Sequence, residues 1–453
     1  MIPGCDLLTD SGTTTMTMRQ WSQMLLGDES YGSNEGYFEF KEQVVATFGG
    51  EWRSRDENSE NVFIFHQGRA AEHGLFSCLG RILAASGNAG SDRPHFIIPS
   101  NGHFDTTLAN IEAAGLEARN LFCAELRNRD ESARFKGNID TAALKALLAD
   151  PEMRERVPLV YLTITNNTGG GQPVSLANIR ETSELCRTYG KPLMFDACRF
   201  AENAWFIRQF EPGYEERSVA EIVRMMFEYA DGFHISLKKD GLGNIGGCLV
   251  LRDRGLLVER YPELRQMLSV HQLTVEGHPT YGGLAGRDLK ALVEGLKTVV
   301  REDYLTYRIE QVRRFGEAVD RACGASVVAK PVGGHAIYLD LDRFFDGTGL
   351  EDGDFPGISL TALLLVAGHR MVELGMYAFG KYVDGKERKP EPRVNFVRAA
   401  VPRLCYEDTD LAAAAEAVGM LYQERAQIPG VEVVYGRELP MRHFISRFRF
   451  RQS

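Results

Sequence analysis

Lys238 and Lys239 stand side by side at the end of a β-like run and directly before a glycine-rich turn, within the stretch from Asp231 to Gly247. A lysine amine forms a Schiff base with an aldehyde only while it is unprotonated, and a second cation beside it lowers its pKa. Upstream, Asp196 closes another apolar run that starts at Lys191, with Arg199 one turn on. A buried carboxylate on one strand and a lysine at the tip of a later one are what pyridoxal phosphate (PLP) chemistry requires. The carboxylate keeps the pyridine nitrogen protonated, so the ring can accept electrons.

Further clusters have the types to serve such a site. Gln67-Gly68-Arg69 falls between a strand and a helix, where first-turn amides and a guanidinium suit a phosphate, and Ser236 adds a hydroxyl. The polar loop Thr165–Pro173 holds three glycines and follows an apolar run. Open α/β sheets bind ligands at such strand ends, although a connection that merely needs glycine reads the same. On their own, Thr9–Gly12 and Asp28–Tyr31 read as surface loops. Arg398, ending a strand, can grip a carboxylate bidentately.

The elements that must position these groups alternate. Strands are expected at Asn61–Phe65, His95–Pro99, Val157–Thr165, the run ending at Asp196, the run before Lys238, and Gly246–Arg252. Helices are expected from the Gln-Gly-Arg turn through Leu83, near Thr106–Ala114, and at Leu176–Tyr189. Val157–Thr165 is unbroken apolar and β-branched, the pattern of a strand covered on both faces. Repeated strand–helix units predict an α/β domain around a mostly parallel sheet. Beyond residue 255 the spacing predicts one long amphipathic helix over Asp288–Cys323. It is followed by a strand (Ala336–Asp340), a helix, a strand (Val394–Arg398), a helix (Asp408–Ile428) and two final strands, a smaller α+β domain. Asp346–Gly357 and Lys381–Pro392 read as exposed loops, and Arg442–Arg451, alternating Phe and Arg, as an edge strand.

With 453 residues, 44% hydrophobic and 25% charged, the chain can bury two or three cores. A net charge of −10 argues against nucleic acid as the main partner. The start shows no basic segment leading into an apolar one, and no apolar run nears the roughly 20 residues of a membrane span. Eight scattered cysteines without a CxxC pair suit a reducing compartment, so the expected location is cytoplasmic.

Nine collinear blocks say more than any one of them: Leu7–Thr13, Gly27–Tyr31, His66–Arg69, Phe104–Thr107, Gly170–Asn178, Asp196–Asn203, Lys238–Asp240, Asn244–Gly247 and Pro279–Leu284. Through them the chain, from Asp6 to Phe444, resembles the β-eliminating lyases, the tryptophanase and tyrosine phenol-lyase family. The resemblance implies a PLP-dependent transferase fold of type I (aspartate aminotransferase-like). Its large PLP-binding α/β domain would span 14–275, and its small α+β domain 1–13 and 288–453. It implies PLP-dependent β-elimination on an L-amino acid, through a Lys239 Schiff base and a quinonoid intermediate, releasing the leaving group, pyruvate and ammonia. By position, Lys239 would hold the cofactor and move the α-proton, and Asp196 would pair with the ring nitrogen. Phe104 would stack on the ring, with Arg199 and Asn167 on its oxygen side. Gln67, Gly68, Arg69, Ser236 and Lys238 would hold the phosphate, with Tyr281 reaching that of a neighbouring subunit. Thr9, Ser11, Asn167 and Arg398 would bind the substrate carboxylate, and Tyr31 would protonate the leaving carbon. A monovalent cation, usually potassium, would match Glu29 and the carbonyls of Gly12 and Asn244. The active site would lie at a dimer interface, in a homotetramer by family habit.

Asp105, Leu374 and His443 stand where the resemblance favours tryptophanase over the phenol-lyases, Leu374 replacing an arginine that meets a phenolic oxygen. The arm that precedes Leu7 in the family is not in this sequence, and Glu51–Asn61 is longer and more charged than its equivalent. These departures favour a divergent member. The alternative is another PLP reaction type (C–S lyase, β-replacement or aminotransferase) on an unusual amino acid. An idle PLP-binding protein ranks last, since no chemical residue is lost.

Overall fold

The structure, a computed structural model, describes residues 4–56, 59–85, 96–128, 133–390 and 393–452. It divides into two units, residues 11–307 and residues 1–10 with 308–453.

The first unit is built on a seven-stranded sheet: β1 (Val62–Phe65), β2 (Ile97–Ser100), β3 (Glu117–Asn120), β4 (Val160–Thr163), β5 (Leu193–Asp196), β6 (Gly232–Ser236) and β7 (Gly247–Leu251). Their order is β1-β7-β6-β5-β4-β2-β3. Neighbours from β3 across to β6 run parallel, and β7 is antiparallel to both β6 and β1. All of these strands except the edge strand β3 are buried along their whole length, as strands covered on both faces must be. Leu75 and Leu79 of helix α3 (Gly68–Ala85) pack with Phe63 and Phe65 on one side. An aromatic layer, Phe48 against Phe227 and Trp52 against Phe233 with ring centroids 4.5 and 4.8 Å apart, lies with them in the interior. Because the strands are parallel, the C-terminal ends of β2, β4, β5 and β6 lie along one edge of the sheet, and the loops that follow them collect the polar residues there.

In the second unit, β8 (Ala336–Asp340), β9 (Val372–Leu374) and β10 (Phe396–Ala400) form an antiparallel sheet in the order β9-β10-β8. Val397 and Leu339 of that sheet share a core with Phe315, Val319, Leu411 and Val418. The N-terminal segment belongs here: Cys5 and Asp6 pair with His369 and Arg370, and the Ala400 amide donates to the Leu7 carbonyl at 2.8 Å. Of the expected edge strand Arg442–Arg451, Arg447–Phe450 is a strand, antiparallel to Val431–Tyr435, whereas Arg442–Phe444 forms a helical turn.

Several elements differ from expectation. The long helix is two, Gly286–Val299 and Glu302–Cys323, because Glu302 and Asp303 start a new first turn, Asp303 accepting the Tyr304 amide at 2.8 Å. Lys381–Arg388 is an exposed hairpin rather than a loop. Of the predicted strand His95–Pro99, His95 lies outside the described residues. Helices α1 (Met18–Leu25) and α2 (Glu35–Phe48) and strand β3 had no counterpart in the sequence reading. All eight cysteines are free and only Cys405 is exposed. Among the described residues no helix is long and apolar enough to cross a membrane.

Candidate active site

At the end of β6, Ser236 is followed by Leu237, Lys238 and Lys239, whose amide donates to the Ser236 carbonyl at 3.2 Å. The next residue, Asp240, is buried and accepts the amides of Ala201 (2.9 Å) and Glu202 (3.4 Å). It thereby caps helix α4 (Phe200–Phe210) and ties the lysine loop to the Asp196–Arg199 segment. The Ser236 amide donates to Cys198 Sγ at 3.1 Å. Gly68 opens α3 so close to this strand end that a Cβ on it would lie 2.6 Å from the Cβ of Ser236. First-turn helix amides, a serine, Arg69 and Lys238 thus converge. Burial, then Arg69 and Lys239, push the Lys238 amine down, and both of those charges are positive. A cluster of like charges beside open helix amides is a place for a dianion, so the phosphate of PLP fits the residues present.

The ring half of the site is equally specified. Asp196, ending β5, is buried. Burial opposes its ionisation, but His234, Lys239 and the bond from Cys198 outweigh it and hold the carboxyl below its usual range. Arg199 is buried at the start of α4, its amide donating to the Ile164 carbonyl at 3.2 Å. The Thr165–Pro173 loop is closed by paired Asn166–Gln172 backbone bonds (2.8 and 3.1 Å). Thr168 Oγ1 donates to the His103 carbonyl at 2.9 Å, tying the loop that carries buried Asn167 to the residue before half-buried Phe104. Gly170 and Gly171 have φ of +87° and +72°, so this loop also needs glycine for its path. Asp105 lies in the first turn after Phe104 and accepts the Thr106 amide at 2.6 Å.

Behind Asp196 lies a charged network that sequence reading missed. His234 Nε2 is 3.6 Å from Asp196 Oδ1 and 3.2 Å from Glu72 Oε1, and its Nδ1 is 2.6 Å from the Tyr161 hydroxyl. Glu72 also accepts from Thr106 (3.1 Å) and Thr107 (2.6 Å). Glu72 is one turn into α3, and the threonines start the helix after Phe104. The only hint in the sequence was a histidine and a glutamate inside otherwise apolar runs.

Tyr31 is 73% exposed, its ring 5.6 Å from both Tyr281 and His278. The hydroxyl bond to Tyr281 pushes its phenol up. Gly277, at φ +109°, leaves room for Tyr281, whose hydroxyl would lie 2.2 Å from a Cβ there. Gly12 and Asn244 are brought together, the Asn244 side-chain amide donating to the Gly12 carbonyl at 3.1 Å. Gly12 also packs on Lys238, 2.5 Å from its Cε to a would-be Cβ. Glu29 instead takes Arg287 at 2.8 Å. Ser11 begins this unit.

In the second unit, Arg398 is buried on β10, and its Nη2 donates to the Leu8 carbonyl at 3.0 Å, which brings the Thr9 segment beside it. Leu374 on β9 is buried with Tyr338 and Ala400. His443 sits in a single turn, Arg442–Phe444, and its charge acts on Glu373. Glu373, also missed, is a buried carboxylate accepting the amides of Tyr377 (3.1 Å) and Ala378 (3.0 Å). Burial pushes it up to about 7.

The family described as β-eliminating lyase matches residues 6–417. A tryptophanase of Salinibacter ruber is 45% identical over 446 residues, 98% of this chain and 86% of that protein. A tyrosine phenol-lyase of Intrasporangium calvum is 40% identical over 445 residues, 98% and 86% of the two chains. Among solved structures, Oryza sativa TDC with PLP superposes with a TM-score of 0.59 at 14% identity, over 93% of this chain and 84% of that one, a likeness of fold. The chain belongs to the β-eliminating lyase family, and it is a PLP-dependent lyase of fold type I.

Proposed function

We propose that this enzyme cleaves the bond between Cβ and the leaving group of an L-amino acid, releasing pyruvate and ammonia, with a tryptophan-type side chain as the group expelled. The observation that carries the reading is the convergence of Lys239, Asp196 and the Gly68–Arg69–Ser236–Lys238 cradle at one sheet edge. Bound PLP supplies an aldehyde and a protonated ring that withdraws electrons from Cα. Lys239 holds the aldehyde and then moves the α-proton. Asp196 keeps the ring nitrogen protonated, while Phe104, Asn167 and Arg199 fix the ring. Thr9, Ser11, Asn167 and Arg398 take the substrate carboxylate. Tyr31 donates the proton that a carbon leaving group requires, a phenol being protonated at neutral pH. Asp105, Leu374 and His443 select the indole side chain.

In this reading residues 11–307, rather than 14–275, are the cofactor domain, and residues 1–10 with 308–453, rather than 1–13 with 288–453, the small domain. The carbonyls of Gly12 and Asn244 take a potassium ion, with Glu29 joining them only once it leaves Arg287. A second copy of the chain covers the exposed apolar face of α1, and Tyr281 reaches that copy's phosphate. Unpaired thiols throughout favour the cytoplasm. The test is an absorbance scan of PLP-loaded protein during addition of L-tryptophan, L-tyrosine and S-alkyl-L-cysteines, with pyruvate assayed in the same samples. Pyruvate from tryptophan supports the proposal. Pyruvate from S-alkyl-cysteines alone moves the function to C–S cleavage, and no PLP uptake overturns it.

A further inference from the structure

We propose that His234 is a positioning residue: as a buried cation between Asp196 and Glu72, it holds the Asp196 carboxylate ionised and aimed at the cofactor's ring nitrogen. The proposal rests on the reading of Asp196 as the ring-nitrogen partner.

The charges make the case. Asp196 and Glu72 are both buried, and a buried carboxylate is costly unless paired. His234 lies within 3.6 Å of the one and 3.2 Å of the other, on the same nitrogen. Its other nitrogen is fixed at 2.6 Å from Tyr161, whose ring stacks on it with centroids 5.9 Å apart. Burial alone would push His234 down, but Asp196, Cys198 and Glu72 outweigh it and raise it well above its ordinary value. The groups facing it are therefore Asp196 from β5, Glu72 from α3, Tyr161 from β4 and Cys198 from the loop after β5. His103, stacked on the far side of Tyr161, is pushed down to about 4 by burial and is neutral.

Two carboxylates and one imidazolium leave these three side chains one positive charge short of balance. Lys239 supplies a positive charge to Asp196 in the unliganded chain, and a protonated ring nitrogen held by Asp196 would do the same once Lys239 is engaged by the cofactor. A histidine that merely filled the core would need one neutral partner, whereas this one faces two anions. The β5–β6 register sets the contact, since Asp196 and His234 are directly opposed. Glu72 carries it to the helix of the phosphate loop, and its threonine partners to the helix after Phe104.

The experiment compares full-length wild type, His234→Gln, Glu72→Gln and Asp196→Asn, each titrated with PLP for affinity and each scanned for visible absorbance against pH once loaded. Gln keeps a donor at 234 but removes the charge. Expected for His234→Gln are PLP affinity weakened roughly tenfold and an acid transition of the loaded spectrum moved up by about one pH unit, since Asp196 loses the cation that holds it ionised. Glu72→Gln removes the competing carboxylate and moves the same transition down. If His234→Gln does not fold, the sign of the Glu72→Gln shift decides. Affinity within about twofold of wild type and an unmoved transition in the folded variants overturn the inference. If those variants match wild type while Asp196→Asn is altered, the inference alone fails. If Asp196→Asn itself keeps the wild-type spectrum and affinity, Asp196 is not the ring partner and the reading beneath it fails as well.

Discussion

Tyr31 and Glu373 are single side chains whose environments set their proton chemistry. A carbon leaving group departs as its carbon is protonated, whereas a thiolate departs without help. Tyr31→Phe is therefore expected to cut kcat on L-tryptophan by roughly 10²- to 10⁴-fold and turnover of an S-alkyl-cysteine by less than about tenfold, measured by steady-state pyruvate release. Equal losses on both would remove Tyr31 as the acid. Glu373 works through stability. Its carboxyl is pushed from 4.5 to about 7 by burial, so the folded state prefers it protonated. A raised carboxyl contributes stability below pH 4.5 that fades as pH rises through 7, on the order of 3 kcal/mol in all. Glu373→Gln should flatten the melting temperature against pH between 4.5 and 7, and a slope identical to wild type would refute the assignment.

Among elements, the lysine loop and helix α4 act as one piece through Asp240, which accepts two of that helix's first amides. Asp240→Ala is expected to cost about 1 kcal/mol in urea denaturation and to weaken PLP binding, because the cap also fixes Lys239. Loss of stability with unchanged PLP affinity would separate the two. Six of the seven sheet strands were legible because they are short apolar runs ended by polar turns, the exception being the polar edge strand β3, and the same punctuation marked Asp196, Lys239 and Arg69 as strand-end residues. The break between Val299 and Glu302 was not legible, since neither proline nor glycine marks it and the apolar periodicity continues across it. Helix α1 did carry a signal: Thr17 and Gln20 form a capping box, Thr17 Oγ1 accepting the Gln20 amide at 3.2 Å and Gln20 Oε1 accepting the Thr17 amide at 2.9 Å. The Glu72–His234–Asp196 network was beyond reach because its members come from three elements and meet only once the sheet register is set.

For the whole molecule, the exposed face of α1 is the feature that needs a partner. Met18 and Leu25 are 82% and 88% exposed, with Trp21 between them at helical spacing and Leu26 just beyond. Apolar side chains in such a row mark an association surface. With a second copy as the occupant, Leu25→Glu is expected to lower the mass seen by light scattering to that of a smaller assembly at micromolar concentration, and an unchanged mass would place the interface elsewhere. The distribution of thiols has a practical reach of its own. Seven of eight are buried, and burial pushes Cys78 and Cys123 up to about 11, so both access and reactivity are withheld while the chain is folded. Cys405 alone stays available. A maleimide mass tag should therefore add once per chain to the native protein and up to eight times once it opens, so intact-mass spectra taken during denaturation would count folded and unfolded molecules directly, without a spectroscopic probe or a single engineered residue.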